Sequence, residues 1–290
     1  MKALLDPGFL RELEVLRRQL DLRVRSGRAG ERVARRRGAS VEFEDHRPYA
    51  PGDDLRRIDW AAYARSGEPV LKQFRADEDV VVRLLCDASA SMRFGTPPKL
   101  ETAKRIAAAV GYMALAGGER VQLVAARDEA EAWRSPSRGR SGLASFLRGL
   151  EAVDADGGTD LSGAIERVVM RSPRPGMLVV LSDFFDPGPV TRTLGRASSA
   201  GHDVALVQVL AREELAPELD GDVAIVDAET GQSIDVTVDA SALEAYERRL
   251  ASLFDALRAH ARRFGASYVR TRVDGSLEAV VRDLVAKEVA

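Results

Sequence analysis

The stretch Val80–Gly95, VVVRLLCDASASMRFG, opens with a seven-residue run that is apolar except for Arg83 and then turns abruptly to Asp87, Ala88, Ser89, Ala90 and Ser91. A short run rich in Val and Leu reads as a strand buried on both faces. An ordinary core strand does not end on one carboxylate and two hydroxyls. Hydroxyls on alternate residues of a turning loop can point the same way, and the small Ala88 and Ala90 let such a loop fold tightly.

Outward from this stretch the pattern is regular. Downstream, a helix over 99–117 leads to a strand over 120–126 and an edge strand around 129–134. Helices near 142–150 and over 159–172 precede a strand over 176–182. A helix near 189–200 and a strand over 203–210 follow. Residues 222–238 alternate apolar and polar about Thr230 and Gly231, which signals a hairpin. A long helix over 241–264, a strand over 267–273 and a last helix over 276–289 complete the chain. Apolar strands alternating with amphipathic helices predict an α/β fold, a mostly parallel sheet with helices on both faces.

Upstream, Asp6 and Pro7 read as the cap and first residue of a helix carrying Phe9, Leu10, Leu13, Leu16 and Leu20 at helical spacing. Residues 23–38 hold seven arginines against one glutamate, Glu31. They read as a solvated connector, with a docking arm for an acidic surface as the alternative. No aromatic residue is present there on which a base could stack, which argues against nucleic acid. Residues 41–74 read as a strand, a Pro-Gly turn, a short helix capped by Asp53 or Asp54, and a second strand. The charged residues Asp53, Asp54, Arg56, Arg57, Asp59 and Arg65 read as an ion-pair network locking this appendage onto the main domain, the alternative being a catalytic role. The expected division is residues 1–78 for the helix, connector and appendage, and 79–290 for the α/β domain.

With 290 residues, 45% of them hydrophobic, the chain can bury a sizeable core without staples. A net charge of −2 makes the whole molecule no polyanion binder. The single cysteine, Cys86, excludes an internal disulfide framework and reads as a core residue. The N-terminal residues lack the apolar run of a signal peptide, and no stretch approaches the ~20 apolar residues of a membrane span. A soluble cytoplasmic protein is the expectation.

In an open parallel sheet, ligands bind beyond the carboxyl ends of the strands. The first strand ends in Asp87, Ser89 and Ser91, and a later one in Ser182 and Asp183. Between them, DADGGTDLSG puts Thr159 and Asp160 at a helix start after two glycines. These oxygens suit a hard divalent cation, Mg²⁺ or Mn²⁺, although Ser and Asp are also ordinary turn and capping residues. If the two carboxylates meet, removing the ion would leave nothing to offset their repulsion.

The set DASAS, GGTD and SD resembles the metal-ion-dependent adhesion site of von Willebrand factor type A domains. The segment RRRGASVEFEDHRPYAPGDDLRRIDWAAYAR, residues 35–65, resembles the hallmark of the bacterial domain of unknown function 58 family. That family joins such an element to a von Willebrand type A-like domain, with a Rossmann-like sheet. The resemblance implies a metal bound directly by Ser89, Ser91 and Thr159, with Asp87 and Asp183 acting mainly through water. It also implies a MoxR-type AAA+ ATPase partner in maturing or remodelling other complexes. Such a shell leaves one coordination position for water or an incoming ligand, and a carboxylate from another protein is its natural occupant.

Catalysis is not the expected role. A phosphatase of the haloacid dehalogenase type, using Asp87, needs a second Asp two residues later, where Ser89 stands. His46, His202 and His260 have no evident route to Ser89 or Ser91 as a serine hydrolase base, and no phosphate-binding Gly-rich loop occurs. A structural protein whose site engages nothing is the remaining alternative.

Overall fold

The computed structural model describes residues 3–20, 41–50, 53–55, 58–76, 80–127, 130–172, 174–185 and 188–286. The chain divides into two units, one comprising Met1–Arg28 with Val80–Ala290 and the other Ala29–Asp79. The arginine-rich residues 23–38 lie outside the described residues.

In chain order the elements are α1 (Pro7–Gln19), β1 (Val41–Pro48), α2 (Trp60–Ser66), β2 (Val70–Ala76), β3 (Val81–Asp87), α3 (Lys99–Ala116), β4 (Arg120–Arg127), β5 (Ala130–Trp133), β6 (Ser137–Arg138), α4 (Gly139–Glu151), α5 (Leu161–Met170), β7 (Met177–Ser182), α6 (Gly188–Ser199), β8 (Asp203–Leu210), α7 (Arg212–Leu215), β9 (Gly221–Val226), β10 (Ser233–Val238), α8 (Ala240–Phe264), β11 (Ser267–Arg272) and α9 (Leu277–Ala286). Two short elements, β6 and α7, have no counterpart in the sequence reading.

The larger unit is built on a sheet of order β11-β8-β7-β3-β4-β5, with β6 also paired to β4. All pairings are parallel except those of β5 and β6 with β4. Numbered along the chain, the six strands on the path run 6-5-4-1-2-3, the doubly wound order. This is the α/β, Rossmann-like, mostly parallel sheet expected of a von Willebrand type A-like domain. The order reverses between β3 and β7, so their carboxyl ends flank the crevice where such folds bind ligands.

Strand β3 shows why the sequence folds this way. Its side chains alternate between two cores, Val82, Leu84 and Cys86 on one face and Leu85 on the other. Helices α3, α4 and α9 cover the first face; α5, α6 and α8 cover the second. Gly111 on α3 lets α4 approach, since a Cβ there would stand 2.3 Å from the Phe146 ring.

Helix α1 belongs to the larger unit, where the expected division grouped it with the appendage. Asp6 caps it as expected, accepting from the Gly8 and Phe9 N–H groups at 3.0 and 3.2 Å. Its buried Phe9, Leu13 and Leu16 join the core under α3. Glu151 at the end of α4 accepts from the Leu4 N–H at 2.8 Å. An apolar face of this size is stable only against a partner core, and α3 provides one.

In the smaller unit β1 and β2 pair antiparallel with an irregularity between Phe43 and Asp45. Helix α2 is capped by Asp59, which accepts from Ala61 and Ala62 N–H at 3.1 Å. The expected caps, Asp53 or Asp54, lie too far upstream. Asp53 instead pairs with Arg47 at 2.7 Å and accepts from the Ala50 N–H, closing the turn after β1. Arg56 and Arg57 lie outside the described residues. Among the described residues no helix is long and apolar enough to cross a membrane.

Candidate metal centre

Register brings the first two pieces together. Cys86 of β3 lies opposite Leu181 of β7, so the next residues, Asp87 and Ser182, are abreast. The Ser182 hydroxyl donates to Asp87 Oδ2 at 2.6 Å, and the Ser89 N–H donates to Asp87 Oδ1 at 3.0 Å. Asp87 is 2% exposed. Burial, then the nearby Asp183 charge, pushes its carboxyl up from the ordinary range, while the Ser182 and Ser89 bonds oppose that.

After Asp87 the chain makes a 3₁₀ turn over Ala90–Arg93. The turn sets the Ser89 and Ser91 hydroxyls 3.0 Å apart, and the Ser91 hydroxyl donates to Asp183 Oδ2 at 2.9 Å. The GGTD loop is pinned to the same turn through its backbone. The Ala90 N–H donates to the Gly157 carbonyl at 2.8 Å, and the Asp156 N–H to the Ala88 carbonyl at 2.9 Å. Gly157 has φ +64°, a conformation that disfavours a side chain. Asp160 caps α5 through the Gly163 N–H at 2.8 Å. Thr159, between them, has its Oγ1 buried with no hydrogen-bond partner among the described residues.

Asp183 is held from below. Gln208 donates to its carbonyl at 2.7 Å, and the Tyr268 hydroxyl donates to Gln208 at 2.6 Å. Phe184, fully buried, takes φ +54°, a strained choice for a bulky residue. That turn lets the Phe185 N–H donate to Asp183 Oδ1 at 3.2 Å.

Four of the five expected residues, Asp87, Ser89, Ser91 and Asp183, form one hydrogen-bonded chain, and the loop of Thr159 is bonded to it. The donor set is all oxygen, with one hydroxyl unsatisfied, so it fits a small hard cation. Among the described residues no three His, Cys, Asp or Glu side chains gather to hold a metal, so hydroxyls would do much of the holding.

One part of the expectation is corrected. Asp183 is not left uncompensated without an ion, because Lys99 pairs with it and with Glu214. Its Nζ lies 2.7 Å from Asp183 Oδ2 and also pairs with Glu214, and the side chain is 1% exposed. Burial pushes the Glu214 carboxyl up, with Lys99 opposing. The Lys99 ammonium also lies 5.9 and 5.3 Å from the Phe94 and Phe185 ring centres. Sequence reading missed Lys99 and Glu214. Lys99 begins α3 directly after Pro97 and Pro98, a position that reads as an exposed first turn.

Comparisons with known proteins agree with the family resemblance. An uncharacterized protein of Mycobacterium tuberculosis (strain ATCC 25618 / H37Rv) is 36% identical over 222 residues, covering 74% of this chain and 69% of that one. An uncharacterized protein of Mycobacterium bovis matches equally. Similar solved structures include the conserved hypothetical protein BatB from Bacteroides thetaiotaomicron, with TM-score 0.44 and 20% identity over 72% of this chain and all of that one. The SpRpn10 VWA domain matches with TM-score 0.45 and 11% identity over 73% of this chain and 98% of that one. The family model described as "Protein of unknown function DUF58" matches residues 45–253, so the chain belongs to that family.

Proposed function

We propose that this protein is a metal-dependent protein-binding module that holds Mg²⁺ or Mn²⁺ at the end of β3 and captures an acidic side chain of a partner. The observation that carries this reading is the buried Thr159 Oγ1 without a partner, on a loop bonded to the Ser89–Ser91 turn. A buried hydroxyl left unbonded costs about 1–3 kcal/mol, and a cation would relieve that cost. Ser89, Ser91 and Thr159 would hold the ion, while Asp87 and Asp183 balance its charge. A cation held there would supply the positive charge that attracts an external carboxylate oxygen. The rim favours a protein partner. Phe94 and Phe185 are exposed at 48% and 40%, and a groove of about 610 Å³ beside Phe94 is lined by Arg212, Glu213, Pro217, Glu218 and Leu219. By family resemblance the partner is a MoxR-type AAA+ ATPase, acting with this chain on a client complex.

Enzymatic use of Asp87 fits poorly. Both its oxygens are engaged and it is nearly fully buried, so it presents no face for attack. The test is a calorimetric titration of metal-free protein with Mg²⁺, followed by binding to a MoxR-type ATPase with and without chelator. Saturable metal binding and chelator-sensitive capture are expected, with no turnover of a generic phosphate ester. No saturable binding at millimolar Mg²⁺ overturns the reading.

A further inference from the structure

Between α7 and α8 the chain makes a hairpin, β9 and β10, that pairs with itself and not with the main sheet. Among the described residues each of its strands therefore keeps one edge with no strand beside it. Register sorts the side chains. Val223 lies opposite Val236 and Ile225 opposite Ile234, so these four share one face. Asp222, Ala224, Val226 and Asp235 belong to the other, where Asp222 accepts from the Thr237 hydroxyl at 2.6 Å. The first face begins in the protein and runs out into solvent. Val238 at its base is buried, Val236 is half-buried, and Ile225 and Ile234 are exposed at 43% and 64%. The charge around it has one sign. From Glu213 to Glu247 the chain holds eleven Asp and Glu and no Lys or Arg, in a protein whose net charge is only −2.

We propose that this hairpin is a docking surface for an extended, basic segment of a partner protein, which adds to it as a third strand. A segment alternating apolar residues with Lys or Arg matches both faces at once. Its apolar side chains cover Ile225 and Ile234, and its cations meet Asp222 and Asp235. A two-stranded hairpin is marginal in water, and a third strand with more apolar cover supplies what it lacks. The same charges argue against a second copy of this chain as the occupant, because two such hairpins edge to edge bring like charges together. Lys and Pro, which commonly blunt an exposed edge, are absent from both strands. The hairpin holds none of the residues assigned to the ion, so docking here needs no Mg²⁺.

The test uses the full chain, with random dodecapeptides displayed on phage as the probe, panned both in Mg²⁺ and in chelator. Peptides alternating Lys or Arg with Val, Ile or Leu should be enriched in both. The enriched peptide, made synthetically, should slow hydrogen exchange at amides within 222–238, and its affinity should fade with added salt. Two double variants, Ile225→Ser with Ile234→Ser and Asp222→Lys with Asp235→Lys, should each weaken it at least tenfold. Both should keep the wild-type unfolding midpoint of the larger unit and the wild-type response to Mg²⁺. Enriched peptides without basic residues, no enrichment, equal affinity in the variants, or unchanged exchange in the hairpin overturns the docking surface. Salt-sensitive self-association of the free chain, lost in the same variants, would make a second copy the occupant and overturns it too. Each of these outcomes is read in chelator as well as in Mg²⁺, so it stands apart from success or failure of the metal centre.

Discussion

A threonine hydroxyl without a hydrogen bond is harmless on a surface and costly inside, and Thr159 Oγ1 is inside. Thr159→Val keeps the shape and removes the oxygen. In chelator it should leave unfolding free energy within about 1 kcal/mol of wild type, or raise it by that amount. In saturating Mg²⁺ it should weaken capture of the ATPase at least about tenfold, or ~1.4 kcal/mol; a binding titration reads this, and full affinity would remove Thr159 from the site. Lys99→Met tests the built-in cation. Removing one partner of a buried ion pair costs about 3–5 kcal/mol, so denaturant unfolding in chelator should show a loss of that order. Mg²⁺ should recover part of it, because the ion takes over the charge beside Asp183. His202 is buried and its Nδ1 has no partner among the described residues. Burial, then Arg83, lowers its pKa from the ordinary 6.5. The folded protein therefore keeps it neutral where the unfolded chain takes a proton. Stability is complete above about pH 6.5 and falls as pH drops toward the lowered folded value. His202→Gln should flatten that limb in a pH series of unfolding midpoints. Asp87, Ser89, Ser91 and Asp183 were legible because strand ends announce themselves by a sharp change of residue character. Lys99 and Glu214 were not, since a lysine in a first helical turn and a glutamate in a four-residue helix look like solvated charges until the chain folds over them.

Among the elements, the strands were the most legible, because burial on both faces writes an unbroken apolar run. Strand β3, read as 80–86, is Val81–Asp87, and β8 was read with its bounds as observed. The hairpin at Thr230 and Gly231 was readable from its alternation and turn residues. The missed elements, β6 and α7, span two and four residues, too few for any period to emerge. Helix α2 was read with the wrong cap because Asp53, Asp54 and Asp59 are equally good capping residues, and only the backbone path selects among them. The most instructive element is α1. Its apolar stripe announced a helix, but not which surface it would cover. Leu13, 1% exposed in the core against α3, should report on that docking. Leu13→Ala should destabilise the larger unit by about 2–5 kcal/mol with no change in denaturant slope. A loss under 0.5 kcal/mol would mean that α1 contributes little to that core.

At the scale of the whole molecule, the sequence announced an alternating α/β chain but not the strand order. The reversal between β3 and β7 arises from crossovers of long sequence separation, which no local pattern encodes. That reversal is what sets Asp87 beside Ser182 and Asp183. Near residue 79 charge gives way to an apolar run, and there the chain passes from the unit Ala29–Asp79 into the larger one. Binding confined to the folded larger unit has a simple signature. Mg²⁺ at about 100-fold excess over its dissociation constant should add about 2.7 kcal/mol to that unit's stability. Calorimetric scans with and without chelator measure this, and identical scans would mean that folded and unfolded chains bind the ion equally or not at all. The buried ammonium of Lys99 separates this chain from small domains that stay unfolded until their metal arrives. Under the proposed metal-dependent reading, a newly synthesised chain would mature in a magnesium-poor cell, survive a chelator, and regain competence when the ion returns. Ion supply would then set when the protein acts, with its abundance left to synthesis and turnover.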